Sequence, residues 1–89
     1  MSYVRPRQRL DDNHSEILAA LQRVTNAVSL AAVGGGCADL LAKHRDGHLV
    51  LIELKSPDGR ISPSQRRFAE RWPVIVVRTS DEAIQAVGI

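Results

Sequence analysis

The stretch His48-Leu-Val-Leu-Ile-Glu-Leu-Lys55 constrains this chain most. Leu49, Val50, Leu51, Ile52 and Leu54 make a near-continuous apolar run, the pattern of a strand covered on both faces. Two charges break the run, Glu53 and Lys55. Because they are two apart, a strand sends both side chains out by the same face. A carboxylate and an ammonium at the end of a buried strand are costly to desolvate unless they have partners or a task. Upstream, Asp39 opens a second apolar stretch, Ala38-Asp-Leu-Leu-Ala42.

The connection between the two stretches decides whether the two carboxylates meet. A two-residue turn at Asp46-Gly47 would pair Leu40 with Glu53 and put Asp39 on the opposite face. A three-residue loop, Arg45-Asp46-Gly47 with Gly47 in the left-handed region, pairs His44 with His48 and Asp39 with Glu53. Only the second register, or a bulge of equivalent effect, lets both carboxylates share a site.

The rest of the chain supplies cover. Residues 1–10 hold Arg5, Arg7 and Arg9 around Pro6 without apolar periodicity and read as a basic arm or a solubilising tail. Residues 11–89 read as one domain. Asp12 or Asn13 is positioned to cap a helix whose apolar residues Ile17, Leu18, Leu21 and Val24 follow helical spacing to near Thr25-Asn26. Residues 28–33 suit a first strand, and Gly34-Gly35-Gly36 a loop that lets backbone approach something closely. Ser62, Pro63 and Gln65 read as N-cap, N1 and N3 of a second helix with Phe68, Ala69 and Trp72 as its apolar stripe, stopped by Pro73. Val74 to Val77 is an all-apolar strand suited to a covered sheet, and Thr79 with Glu82 has capping-box spacing before a last helix. The expected fold is therefore α/β, in the order α-β-β-β-α-β-α, with a mixed central sheet flanked by helices. The helix between the third and fourth strands makes them a parallel crossover unit.

Composition narrows the function classes. A single cysteine, Cys37, excludes an internal disulfide and a multi-cysteine zinc site and fits a reducing compartment. No apolar run approaches the ~18 residues of a membrane span and no signal peptide is visible, so a cytoplasmic, membrane-free protein is expected. The net charge of +2 leans toward polyanions. Tyr3, Phe68 and Trp72 are the only aromatics, which speaks against base-stacking platforms as a binding strategy. His14, His44 and His48 lack helical metal-ligand spacing and read as surface or turn residues.

In order and spacing, Gly36, Asp39, the hairpin, Glu53-Leu54-Lys55, Gly59, Ser62-Pro63-Ser64-Gln65, the Val74–Val77 strand and the final helix resemble the VRR-NUC family of the PD-(D/E)XK nuclease superfamily, in particular its short stand-alone forms found in phages. The resemblance covers about Gly34 to the C-terminus. It departs at Ala38, where the family often has Pro. It implies a restriction-endonuclease-like fold and a Mg²⁺-dependent endonuclease (Mn²⁺ a substitute) cutting DNA, with branched or junction DNA as candidate substrates, as a homodimer, in the host cytoplasm if phage-encoded. Asp39 and Glu53 would hold the metal with the Leu54 backbone carbonyl, Lys55 and Gln65 would complete the catalytic set, and Glu16 is a further acidic candidate.

The chemistry agrees with that implication. Hydrolysing a phosphodiester requires neutralising a phosphate, supplying a hydroxide and stabilising the leaving oxygen. A cation held by one or two carboxylates does this while retaining waters. Alternatives stand beside each residue: Glu53 and Lys55 as an exposed ion pair, Asp39 as a turn residue, Gln65 as a capping residue only, and Asn13-x-x-Glu16 as a capping pair. Lys43, Arg45, Arg60, Arg66, Arg67 and Arg71 are candidate phosphate contacts or solvated charges. The rival from another class is a non-catalytic nucleic-acid-binding or nuclease-accessory module with the same fold.

Overall fold

A three-residue loop sets the register of the sheet. The computed structural model describes residues 12–89, and the basic arm expected over residues 1–10 lies outside them. The elements are α1 (Asp12–Gln22), β1 (Ala27–Ser29), β2 (Leu40–Lys43), β3 (Leu49–Leu54), α2 (Pro63–Arg71), β4 (Val74–Val77) and α3 (Ser80–Ala86), in the expected α-β-β-β-α-β-α order. Leu40 pairs with Ile52 and Ala42 with Val50. The His44 N–H donates to the His48 carbonyl at 2.8 Å. Gly47 takes a φ of +102°, which a non-glycine residue would resist.

The four strands lie in the order β1-β2-β3-β4. β1, β2 and β3 form an antiparallel meander, and β4 joins β3 in parallel after the α2 crossover. Lateral partners share a face, so Ala27, Leu40, Ala42, Val50, Ile52, Leu54 and Val77 look one way. That face carries the core, where they pack with Ile17 and Leu21 of α1, Ala83 of α3 and Val87 just after it. Fully burying such aliphatic side chains contributes ~1.5–3 kcal/mol each.

The second face differs from the expectation of a sheet covered on both sides. Val28, Leu49 and Val76 lie on it and are 53%, 65% and 42% exposed. α2 does not seal it, because no residue of α2 is buried and its expected stripe is open: Ala69 is exposed and Trp72 is 54% exposed. The helical period was real, but a period does not say what surface meets it. β1 is also shorter than residues 28–33. The Ser29 hydroxyl accepts the Ala31 N–H, and Val33 N–H turns back to the Leu30 carbonyl, so the chain leaves the sheet after Ser29.

Both later helices start as their sequences ask. Ser62 and Gln65 form a reciprocal capping box with Pro63 at the first turn. The Thr79 hydroxyl accepts the Glu82 N–H, while the Glu82 carboxylate takes the Arg78 N–H instead of closing a box. α1 departs further. Asn13 lies inside its first turn, and its side-chain Nδ2 donates across the fold to the Lys55 and Arg78 carbonyls at 3.4 and 3.5 Å, not to its own helix. Among the described residues no helix is long and apolar enough to cross a membrane.

Candidate metal and catalytic cleft

Continuing the β2–β3 count places Asp39 level with Glu53, at the end of the hairpin away from its loop. The ladder slips there. The Asp39 N–H donates to the Ile52 carbonyl at 3.0 Å, and the Asp39 carboxylate, through Oδ2, accepts the Leu54 N–H at 2.8 Å. A side-chain oxygen thus takes a backbone donor at the strand end, from the residue next to Glu53. Both acids line one cleft at the end of the sheet, together with Leu54, Lys55 and Gln65.

Glu53 is buried, at 3% exposure, which a carboxylate sustains only with partners. Its Oε2 accepts the Gln65 side-chain N–H at 2.7 Å and lies 3.8 Å from the Lys55 ammonium. The Lys55 side chain is itself only 15% exposed, so the ion pair is not the solvated pair of the bland alternative. Gln65 resolves its two readings by doing both. Its Oε1 accepts the Ser62 N–H at 2.9 Å as the N3 member of the capping box, and its Nε2 holds Glu53. A side-chain amide offers an acceptor to the cap and a donor to a carboxylate at once.

The loop and turn around the cleft are pinned from behind. Gly36, at φ +81°, comes so close to α2 that a Cβ there would stand 2.7 Å from the Ser64 backbone. The triple-glycine loop therefore approaches the start of α2, not a phosphate-binding turn of its own. Arg78 Nη1 donates to the Ser56 and Gly59 carbonyls, clamping the turn that follows Lys55.

His14 was read as a surface residue, yet it is 4% exposed and lines the cleft, with Nε2 3.4 Å from the Ser29 hydroxyl. Its spacing to Ile17, Leu18 and Leu21 puts it on the inward stripe of α1, a signal the period carried. Glu16 sits off that stripe, is exposed, and is not among the residues lining the cleft. Of the basic candidates, Lys43, Arg60 and Arg66 are exposed. Arg45 is exposed but tied to the C-terminus through Gly88 and Val87 carbonyls. Arg67 and Arg71 line a second cleft with Trp72.

A different cluster lies at the loop end of the hairpin. His44, Asp46 and His48 bring their ligand-type atoms within 4.8 Å of one another, with the two imidazoles stacked at 4.4 Å. Asp46 accepts from the backbone N–H and side chain of His48, and the backbone N–H first of all holds its carboxyl below the usual carboxylate range. The His-x-Asp-x-His pattern is a cross-strand spacing, which a search for helical spacing passes over.

The cleft residues fit a hard divalent cation. Two carboxylates and a strand-end carbonyl are oxygen donors of the kind Mg²⁺ and Mn²⁺ take, with no sulfur ligand required. Compared with protein-family models, curated proteins and solved structures, the chain shows no match.

Proposed function

We propose that this protein is a metal-dependent endonuclease that hydrolyses DNA phosphodiester bonds. The carrying observation is that Asp39, Glu53, Lys55 and Gln65, drawn from the ends of two neighbouring strands and the start of a helix, line one cleft, with Glu53 buried and held by both Lys55 and Gln65. A structural ion pair needs none of the third and fourth members.

In this reading Asp39 and Glu53 hold Mg²⁺ with the Leu54 carbonyl. When bound, the ion polarises the phosphate and lowers the pKa of a coordinated water. Gln65 fixes the rotamer of Glu53, as partners behind a ligand do. Lys55 would orient the attacking water and stabilise charge on the phosphate. Glu16 is not part of this set, because its side of α1 faces solvent.

DNA is the partner, and a second copy of the chain completes the particle. The half-open apolar sheet face of Val28, Leu49 and Val76 supports that homodimer. A cytoplasmic setting is part of the same proposal.

Supercoiled plasmid and four-way branched DNA, incubated with Mg²⁺ or Mn²⁺ and with EDTA, test the function. Cleavage with metal, absent in EDTA and absent from Glu53→Gln, is expected. Binding without cleavage in every metal would leave the protein a nucleic-acid-binding module and sink the enzyme assignment.

A further inference from the structure

The acidic cleft has a neighbour. A second cleft, formed by Gly35, Ser64, Arg67, Phe68, Arg71 and Trp72, meets the first across the glycine loop and Ser64, which lines both. Glu70 also lines it. Trp72 stands 54% exposed, although an indole has much to gain from burial. It is nonetheless held in place. Its backbone N–H caps α2 by donating to the Phe68 carbonyl at 2.9 Å, and Pro73 follows it. The Phe68 ring lies nearly parallel to it, with centroids 5.9 Å apart and planes inclined by 19°. Arg67 and Arg71 are four apart and form one row along α2, beside the row of Phe68 and Trp72.

We propose that this cleft binds an unpaired nucleotide of the DNA, its base stacked on Trp72 and its flanking phosphates on Arg67 and Arg71. The inference rests on the nuclease reading and narrows its substrate class to DNA carrying a single-stranded segment beside the cut. A rigid aromatic face next to guanidinium groups is the combination by which single strands are held. Continuous duplex has its bases stacked on one another and offers the indole no face, so it would use the arginines alone. The charge favours nucleic acid over a second copy of this chain as occupant, since two guanidinium groups outnumber the Glu70 carboxylate and would repel their own copies. Trp72 follows Gln65 by seven positions along α2 and its cap, about 10 Å at 1.5 Å per residue. At the ~3.4 Å rise of a stacked strand, that is about three nucleotides from the metal site. The scarcity of aromatics therefore misleads, because one placed ring is enough.

Trp72 is the chain's one tryptophan, so its fluorescence reports on this cleft alone. Full-length Glu53→Gln protein in EDTA would be titrated with oligothymidylate and with blunt duplex of equal length, following Trp emission and, on labelled DNA, anisotropy. Single strands should quench Trp72 saturably and duplex should not. Trp72→Ala should weaken single-strand binding about five- to hundredfold, with Trp72→Phe restoring part of it, and leave duplex binding unchanged. Single-strand binding with unchanged Trp emission would overturn the proposal. So would equal weakening of both DNAs by Trp72→Ala, or a Trp72 signal that follows protein concentration without DNA, which would assign the cleft to self-association. The two readings separate cleanly. Wild-type cleavage in Mg²⁺ with a silent Trp72 keeps the nuclease and sinks this site, whereas quenching without cleavage in any metal does the reverse.

Discussion

The two ends of the β2–β3 hairpin each gather a carboxylate and nitrogen groups, and they differ in how. At the loop end, Asp46 takes its partners from His44 and His48, two residues away on either side, and all three belong to one turn. Asp46 and His48 are more than half exposed. At the other end, Glu53 is buried and Asp39 half-buried; Lys55 beside Glu53 is a near partner, but the hydrogen bonds that hold the two acids come from β3 and α2, 12 to 15 positions distant. Local partners cost little chain entropy, and water shares the charge. Distant partners require the whole fold, and burial makes each interaction stronger and each loss more expensive. Chemistry on a substrate needs the second arrangement, in which groups are held before substrate arrives.

Glu53→Gln should be the largest break. A metal ion contributes several kcal/mol of transition-state stabilisation, and losing about 4 kcal/mol slows cleavage roughly a thousandfold. Circular dichroism should show the fold retained, since Gln fills the same volume and keeps an acceptor for Gln65.

Lys55→Ala comes next. It removes the cation beside Glu53 but no oxygen ligand, so cleavage should fall about 10²–10³-fold while calorimetry shows metal still binding. Loss of metal binding with the fold intact would contradict the division of labour between Glu53 and Lys55.

Gln65→Glu sharpens the comparison because it separates the two jobs of one side chain. Glu keeps the capping acceptor for Ser62 but faces Glu53 with a second negative charge. Thermal stability should change little through the helix, and cleavage should fall about 10–100-fold, the range for partners behind a metal ligand. Gln65→Ala should lose both the cap and the positioning.

Asp46→Asn should do least. Its carboxyl is held low chiefly by the His48 backbone N–H, so the ionised form contributes stability above its unfolded pKa, and that contribution disappears as pH falls through the lower folded value. Melting curves should show a small deficit for the variant near neutrality that narrows as the pH falls into and below the usual carboxylate range, with cleavage unchanged.

Much of this was legible in the residues. The order of elements followed from apolar period, Pro and cap residues, but Gly47 suits either a two-residue turn or a three-residue loop, and the register that the structure adopts is that of the second, with Gly47 left-handed. Spacing put Glu53 and Lys55 on one strand face, whereas Gln65 joined them only through the family resemblance and its inward position on the helix, with a capping role standing beside it. What the residues did not carry was tertiary. Asn13 has the composition of a cap, but the end of the sheet offered it the Lys55 and Arg78 carbonyls instead. The stripe of Phe68, Ala69 and Trp72 has the period of a buried face, yet nothing among the described residues closes over it. His14 reads as polar surface by type and as inward by position, and position won.

The most direct test of the buried end as the metal site is Mn²⁺ binding by calorimetry to the full-length protein, in parallel with Asp39→Asn, Glu53→Gln and Asp46→Asn. Binding should survive Asp46→Asn and be lost in both Asp39→Asn and Glu53→Gln. Binding that persists in the Asp39 and Glu53 variants but vanishes with Asp46→Asn would move the metal to the hairpin loop and contradict the account.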